Sequence, residues 1–264
     1  MLPAESEAHS RAIELHHAGQ TPVAIELLGQ AIKGSPYSGE LLVLRAILLH
    51  SEQAWAAALS DAETAMLLMP LPVGGELVLA DCYWQVGQKE LALVGYEHLL
   101  ERGPLTAAVY AGVYTGLRRC GRHDLALRAC RAAVELEPDN DAAYYGMAHC
   151  MASLRYAAAY VAGVLRRAVE LNPDNVVYRA SLAVQLLRDG KPSDAYAVLA
   201  ELAAEELSAI DCHCSAKLIA RLCSWAGDKR RAAVATEVCE RLTAAAQAQD
   251  REDSRGGPSH DDAP

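Results

Sequence analysis

Eight cysteines and nine histidines are the residues of this chain best equipped to bind a metal or attack a substrate, and their spacing argues against both uses. The densest group is Cys212-His213-Cys214, with Cys223 and Cys239 further on. A structural zinc takes four converging ligands, and its cysteine pairs are usually separated by about two to four residues. Here a single histidine separates the pair, so the bland reading, cysteine as a small buried hydrophobe, is preferred over a metal site. His16-His17 falls where a first helix should end, and an imidazole there meets the negative end of the helix dipole. The chain contains no GxSxG, no HExxH, no glycine-rich phosphate loop and no paired CxxC. Catalytic residues, cofactor-binding residues and metal ligands are therefore all read as none, and the protein is expected not to be an enzyme.

The remaining reactive chemistry is charge. Basic clusters stand at Arg118-Arg119-Arg122, Arg166-Arg167 and Lys229-Arg230-Arg231, in a chain of net charge −10. A nucleic-acid binder needs a basic face that releases counterions, so nucleic acid is excluded as the main partner. The clusters read as solvated helix ends, with recognition of a partner's carboxylate as the sharper alternative.

The elements that position these residues are legible from punctuation. Pro36, Pro70, Pro104 and Pro138 stand 34 residues apart, and Pro173 follows after 35. When each unit is counted so that its proline falls at position 32, the units begin at Glu5, Gly39, Val73, Ala107, Asp141 and Val176. Position 20 then reads Ala24, Ala58, Ala92, Ala126, Val161 and Ala195. Position 8 reads Ala12, Ala46, Ala80, Tyr114, Ala148 and Ala183, and position 27 reads Ala31, Ala65, Leu99, Ala133, Ala168 and Leu202. Small residues recur where two helices cross closely. Gly19, Gly87, Gly121 and Gly190 lie between the two helices of a unit, where a chain leaving a helix turns through positive φ. Between these marks the apolar residues keep helical spacing, and strand alternation is absent.

This pattern resembles the tetratricopeptide repeat family over roughly residues 5 to 245. The resemblance implies an all-α fold, a right-handed α-solenoid of about six to seven helix-turn-helix repeats. The expected layout is an N-terminal extension at 1–4, six repeats over 5–209, a seventh degenerate repeat with a capping helix over 210–247, and a disordered acidic tail at 248–264. The repeats are expected to build one elongated domain. The sixth unit has Leu207 in place of its proline, so its exit must be made differently.

The family uses the first helix of each unit to line a concave groove, with repeat positions 2, 5, 9, 12 and 13 facing inward. In this chain the resemblance implies a partner-binding groove of His50, Asp81, Trp84, Gln85, Ala111, Gly112, Thr115, Arg118, Arg119, Tyr145, His149 and Arg188. Ala111 and Gly112 leave the groove floor low. Trp84 and Tyr145 are either aromatic walls or packing between adjacent units, and Arg118, Arg119 and Arg188 can reach a carboxylate. The lysines and asparagines of the family's clamp for acidic C-termini have no counterpart among His9, Ile13, Glu40, Val43, Leu77 and Asp81, so that clamp is set aside.

No run of 18 apolar residues exists, the longest candidate being Leu41 to Leu49, broken by Arg45. The expected location is cytoplasmic, with neither a secretion signal nor a membrane span. The expected function is a non-enzymatic scaffold or adaptor that binds a protein or peptide partner in the groove, a partner with an acidic and an apolar anchor, without cofactors and in a larger complex. The alternative is a regulatory or recruiting subunit of a separately encoded enzyme complex.

Overall fold

The computed structural model describes residues 3–255, and side chains through residue 248. The last part of the expected tail, 256–264, lies outside the described residues. Fourteen α-helices pair in chain order into seven hairpins, and no strand occurs among the described residues. The fold is an all-α solenoid. Its contacts fall into two compact units, Met1–Pro138 and Asp139–Pro264, where one elongated body was expected.

The first unit holds α1 (Pro3–His17), α2 (Thr21–Gly34), α3 (Gly39–Ser51), α4 (Trp55–Leu68), α5 (Val73–Gln85), α6 (Lys89–Glu101), α7 (Ala107–Arg119) and α8 (His123–Leu136). Helix α1 begins at Pro3, inside the segment expected to precede the repeats. The alanine columns are the crossing points. Ala12, Ala24, Ala46, Ala58, Ala65, Ala92 and Ala126 are fully buried, and Ala80 and Ala133 nearly so. At the crossing of α5 and α6 a side chain on Gly95 would stand 2.9 Å from the Ala80 Cβ, so that approach requires glycine. Larger residues fill the space the alanines leave. Leu28, Leu41, Leu48 and Leu99 are completely buried, each contributing on the order of 1.5–3 kcal/mol by removal from water. One charged pair lies among them: Arg45 of α3 donates to both oxygens of the buried Asp61 of α4 at 2.6 and 2.7 Å.

The second unit holds α9 (Asp141–Ser153), α10 (Ala158–Leu171), α11 (Val176–Arg188), α12 (Pro192–Ala200), a 3₁₀ turn (Ala204–Ala209), α13 (His213–Trp225) and α14 (Lys229–Arg255). The sixth hairpin closes without proline because α12 stops after nine residues and the 3₁₀ turn inserts Leu207, fully buried, into the core. The seventh hairpin is attached by arginines. Arg231 donates to the carbonyls of Ala200 and Leu202 and to Asp228, which also accepts from the Tyr196 hydroxyl at 2.9 Å. Arg241 donates to the carbonyl of Ser208 at 2.7 Å, and Arg230 pairs with Glu205. The Lys229-Arg230-Arg231 cluster is therefore not simply a solvated helix end. Arg231 satisfies backbone acceptors that α12 leaves open where it ends. Helix α14 continues to Arg255, beyond the residue at which disorder was expected to begin.

The turns inside the hairpins follow one geometry. Gly19, Gly87, Gly121, Gly190 and Gly227 all have positive φ, between 74° and 86°. In the two hairpins whose turn has no glycine, Gln53 and Arg155 adopt φ of 59° and 60° at the corresponding place. No helix among the described residues is long and apolar enough to cross a membrane.

Candidate functional site

In the first unit, α3 packs on α5 and α5 on α7, so the first helices of the second, third and fourth hairpins lie side by side. Repeat positions 5, 9, 12 and 13 then fall on a shared face because they recur at helical spacing. That face presents His50 from α3, Asp81, Trp84 and Gln85 from α5, and Ala111, Thr115, Arg118 and Arg119 from α7. Gln85, Ala111 and Arg119 are exposed, while His50, Asp81, Trp84, Thr115 and Arg118 are half-buried.

Asp81 of α5 meets side chains from three other helices. From the core side, the hydroxyl of Tyr96 on α6 donates to Asp81 Oδ1 at 2.5 Å. Across the open face, His50 Nε2 lies 3.4 Å from Oδ2 and Arg119 Nη1 lies 3.7 Å from Oδ1. Tyr96 is completely buried, and burial together with the bond to Asp81 holds its phenol well above the usual range, so it remains a donor. Its ring rests where a side chain on Gly116 would stand, so the glycine of α7 makes the room that lets a tyrosine of α6 reach the inner face.

Two aromatic rings flank the charges. Trp55 meets the His50 imidazole edge to face, with centroids 5.0 Å apart. Lys89 Nζ sits 5.5 Å from the centre of the Trp84 ring. The expectation of a low floor at Gly112 is corrected: Leu77 of α5 fills that space, its Cδ2 2.7 Å from where a Cβ would stand. Thr115 turns its hydroxyl to the Ala111 carbonyl at 2.9 Å. Arg122, grouped with Arg118 and Arg119 by sequence, pairs with Glu97 at 2.6 Å and Asp124 at 3.1 Å. Arg118 has no ion-pair partner among the described residues.

The second unit carries the other expected residues. Tyr145 stacks on Tyr178 of α11 with centroids 4.8 Å apart and planes at 26°, which gives it a packing role between α9 and α11. Arg188 ends α11 and is exposed, and the carbonyl of His149 on α9 accepts from the Ser153 hydroxyl at 3.1 Å. The cysteines divide by burial. Cys82, Cys130, Cys150 and Cys223 are buried, while Cys212 and Cys214 are exposed on the approach to α13.

Sequence reasoning missed Tyr96 and Trp55. A signal for Tyr96 existed, because repeat position 10 reads Glu14, Leu48, Cys82, Gly116, Cys150 and Gln185. The one glycine in that column lies opposite the one tyrosine in column 24.

Paired helices of this length, with buried small residues at each crossing and a left-handed turn in each hairpin, define a helical-repeat protein. Solved structures agree on which kind. A tetratricopeptide repeat protein from Parabacteroides merdae matches with a TM-score of 0.63 at 17% identity, covering 90% of this chain and 93% of that one. The C-terminal part of a repeat-containing protein from Cytophaga hutchinsonii matches with a TM-score of 0.64 at 16% identity, covering 89% and 95%. YrrB, described as a tetratricopeptide repeat protein with an unusual peptide-binding site, matches with a TM-score of 0.58 at 19% identity over 67% of this chain and 91% of its own. No protein-family model and no curated protein matches the sequence. The chain has the tetratricopeptide-repeat fold.

Proposed function

We propose that this chain is a non-enzymatic scaffold or adaptor that takes a protein or peptide partner on the inner face of its first helices. The observation that carries the reading is the alignment of His50, Asp81, Trp84, Arg118 and Arg119 along α3, α5 and α7, where they remain accessible to solvent. Side chains of this kind on neighbouring rigid helices supply an apolar wall and charged donors without a conformational change. The likeness to YrrB, whose description includes a peptide-binding site, supports the same reading. The partner offers an apolar anchor beside an acidic group. The reading places the protein in the cytoplasm, in keeping with cysteines such as Cys82 and Cys130 serving as small buried hydrophobes.

The test is charge reversal on the exposed face. Tagged wild-type protein and the double variant Arg118→Glu, Arg119→Glu are used to capture partners from a lysate of the source organism, with identification by mass spectrometry. The variant should retain its helicity and melting temperature and lose the captured protein. Unchanged capture would remove this face from the interaction. Co-capture of an enzyme whose activity changes on binding would favour the regulatory-subunit alternative.

A further inference from the structure

We propose that Asp81 is a built-in competitor on this face, and that the occupant is a segment whose glutamate or aspartate side chain takes over Arg119 and His50 from it. The inference rests on the binding reading above and names its chemistry. Within the same unit, Arg45 and Asp61 show what a committed pair looks like, two donors at 2.6 and 2.7 Å with the acid buried. Asp81 is not held that way by Arg119 or His50. Its close bond is to Tyr96, from beneath, while Arg119 and His50 stop at 3.7 and 3.4 Å, beyond the usual charge-assisted distance of about 2.7–2.9 Å. An arginine carries five N–H donors in a planar fork, so Arg119 keeps most of its capacity for a second carboxylate.

The surroundings select the sign of that ligand. Arg118 stands one residue away without an ion-pair partner among the described residues, and Lys89 lies over the neighbouring Trp84. A chain of net charge −10 thus carries a local island of positive charge, to which an acidic segment is complementary and a basic one is not. Asp81 repels any incoming carboxylate, so only a ligand that also gains apolar contact with Trp84 displaces it. Asp81 is in this sense a specificity-determining residue.

The experiment uses the full chain and fluorescence anisotropy with three labelled peptides. One alternates leucine with glutamate and one alternates leucine with lysine, both amidated to remove the terminal carboxylate. The third alternates leucine with serine and keeps a free C-terminus. The glutamate peptide should bind, Asp81→Asn should tighten it by about three- to tenfold, and Arg119→Gln should weaken it by a similar factor. The asparagine carbonyl still accepts from Tyr96, and circular dichroism checks the fold. Preference for the lysine peptide, or an Asp81→Asn variant that binds the glutamate peptide no better, overturns the proposal. Binding of the free-carboxylate peptide alone assigns the site to a chain terminus and overturns it equally. Should Asp81→Asn fail to fold, an undiminished affinity in Arg119→Gln has the same force. If no peptide binds while capture from lysate still depends on Arg118 and Arg119, acid recognition is wrong and the docking face stands.

Discussion

The ring of Tyr96 occupies the volume that any side chain on Gly116 would need, so a residue of α6 and a residue of α7 are matched in size across a hairpin boundary. The match places a buried phenol under Asp81 and sets the height of the carboxylate that faces the partner. Gly116→Ala should therefore cost about 1–3 kcal/mol by overpacking. Tyr96→Leu in the same background should recover part of that loss. Additive destabilisation in urea melts of the single and double variants would refute the size match. Tyr96→Phe keeps the ring and loses only the hydroxyl bond to a carboxylate, worth about 1.5–3 kcal/mol.

Gln53 and Arg155 hold a backbone conformation that every other hairpin turn assigns to glycine. A left-handed conformation costs an L-residue about 1–2 kcal/mol, and glycine gives back about 0.5–1 kcal/mol through the freedom it adds to the unfolded chain. Gln53→Gly and Arg155→Gly should each stabilise the protein by about 0.5–1 kcal/mol, and Gly87→Ala should do the opposite. Chemical denaturation of the three variants measures this directly, and destabilisation by both glycine substitutions would refute it.

These two cases show where the sequence was readable. The alanine columns and turn glycines were legible because each obeys a steric rule that repeats with the period, and most column residues lie inside the core. Gly112 was misread because a missing Cβ was taken as open space, whereas Leu77, a long side chain one helix away, fills it. Tyr96 was missed because its partner belongs to a different column of the next unit. Arg231 was misread because the backbone carbonyls it serves exist only where α12 ends early, an irregularity that no repeat pattern anticipates. Period and size can be read from residue types, but compensation between columns needs the packing.

Arg231 joins the seventh hairpin to the sixth through two backbone carbonyls, and holds Asp228, which accepts from Tyr196 of the sixth. Arg231→Ala removes the side-chain donor from the Ala200 and Leu202 carbonyls at a partly exposed helix end, while Asp228 keeps its bonds from Tyr196 and the backbone N–H of residue 231, and should cost about 1–2 kcal/mol. Asp228 gives the network a pH signature. Its carboxyl is held below the usual carboxylate range by the backbone N–H of Arg231, then by the Arg231 guanidinium, with a smaller contribution from the Tyr196 hydroxyl. A folded-state value below the unfolded one means that the contribution is complete above the unfolded carboxylate value of about 4 and is lost as pH falls through the depressed folded value. Denaturation midpoints measured from neutral to acid pH should fall more steeply for wild type than for Asp228→Asn. Parallel curves would show that this carboxylate does not support the hairpin.

Thiol chemistry offers an independent check on how firmly that hairpin is packed. Burial pushes the Cys82 thiol up to about 12 and the Cys223 thiol up to about 11, so at neutral pH almost no thiolate is present at either, and solvent does not reach them. Cys212 is different. Partial burial pushes its thiol up, but hydrogen bonds from the Ser215 hydroxyl and from the backbone amides of Ser215 and Cys214 outweigh this and leave it below the usual thiol range. Brief alkylation near neutral pH, followed by peptide mass spectrometry, should therefore modify Cys212 first, with Cys214 also reacting, and leave Cys82 and Cys223 untouched. Because Cys223 lies on α13 beneath α14, it becomes a reporter of hairpin opening: Arg231→Ala should raise its labelling rate and leave that of Cys82, in the first unit, unchanged. Equal acceleration at both cysteines would mean that the arginine stabilises the whole chain and not this hairpin alone.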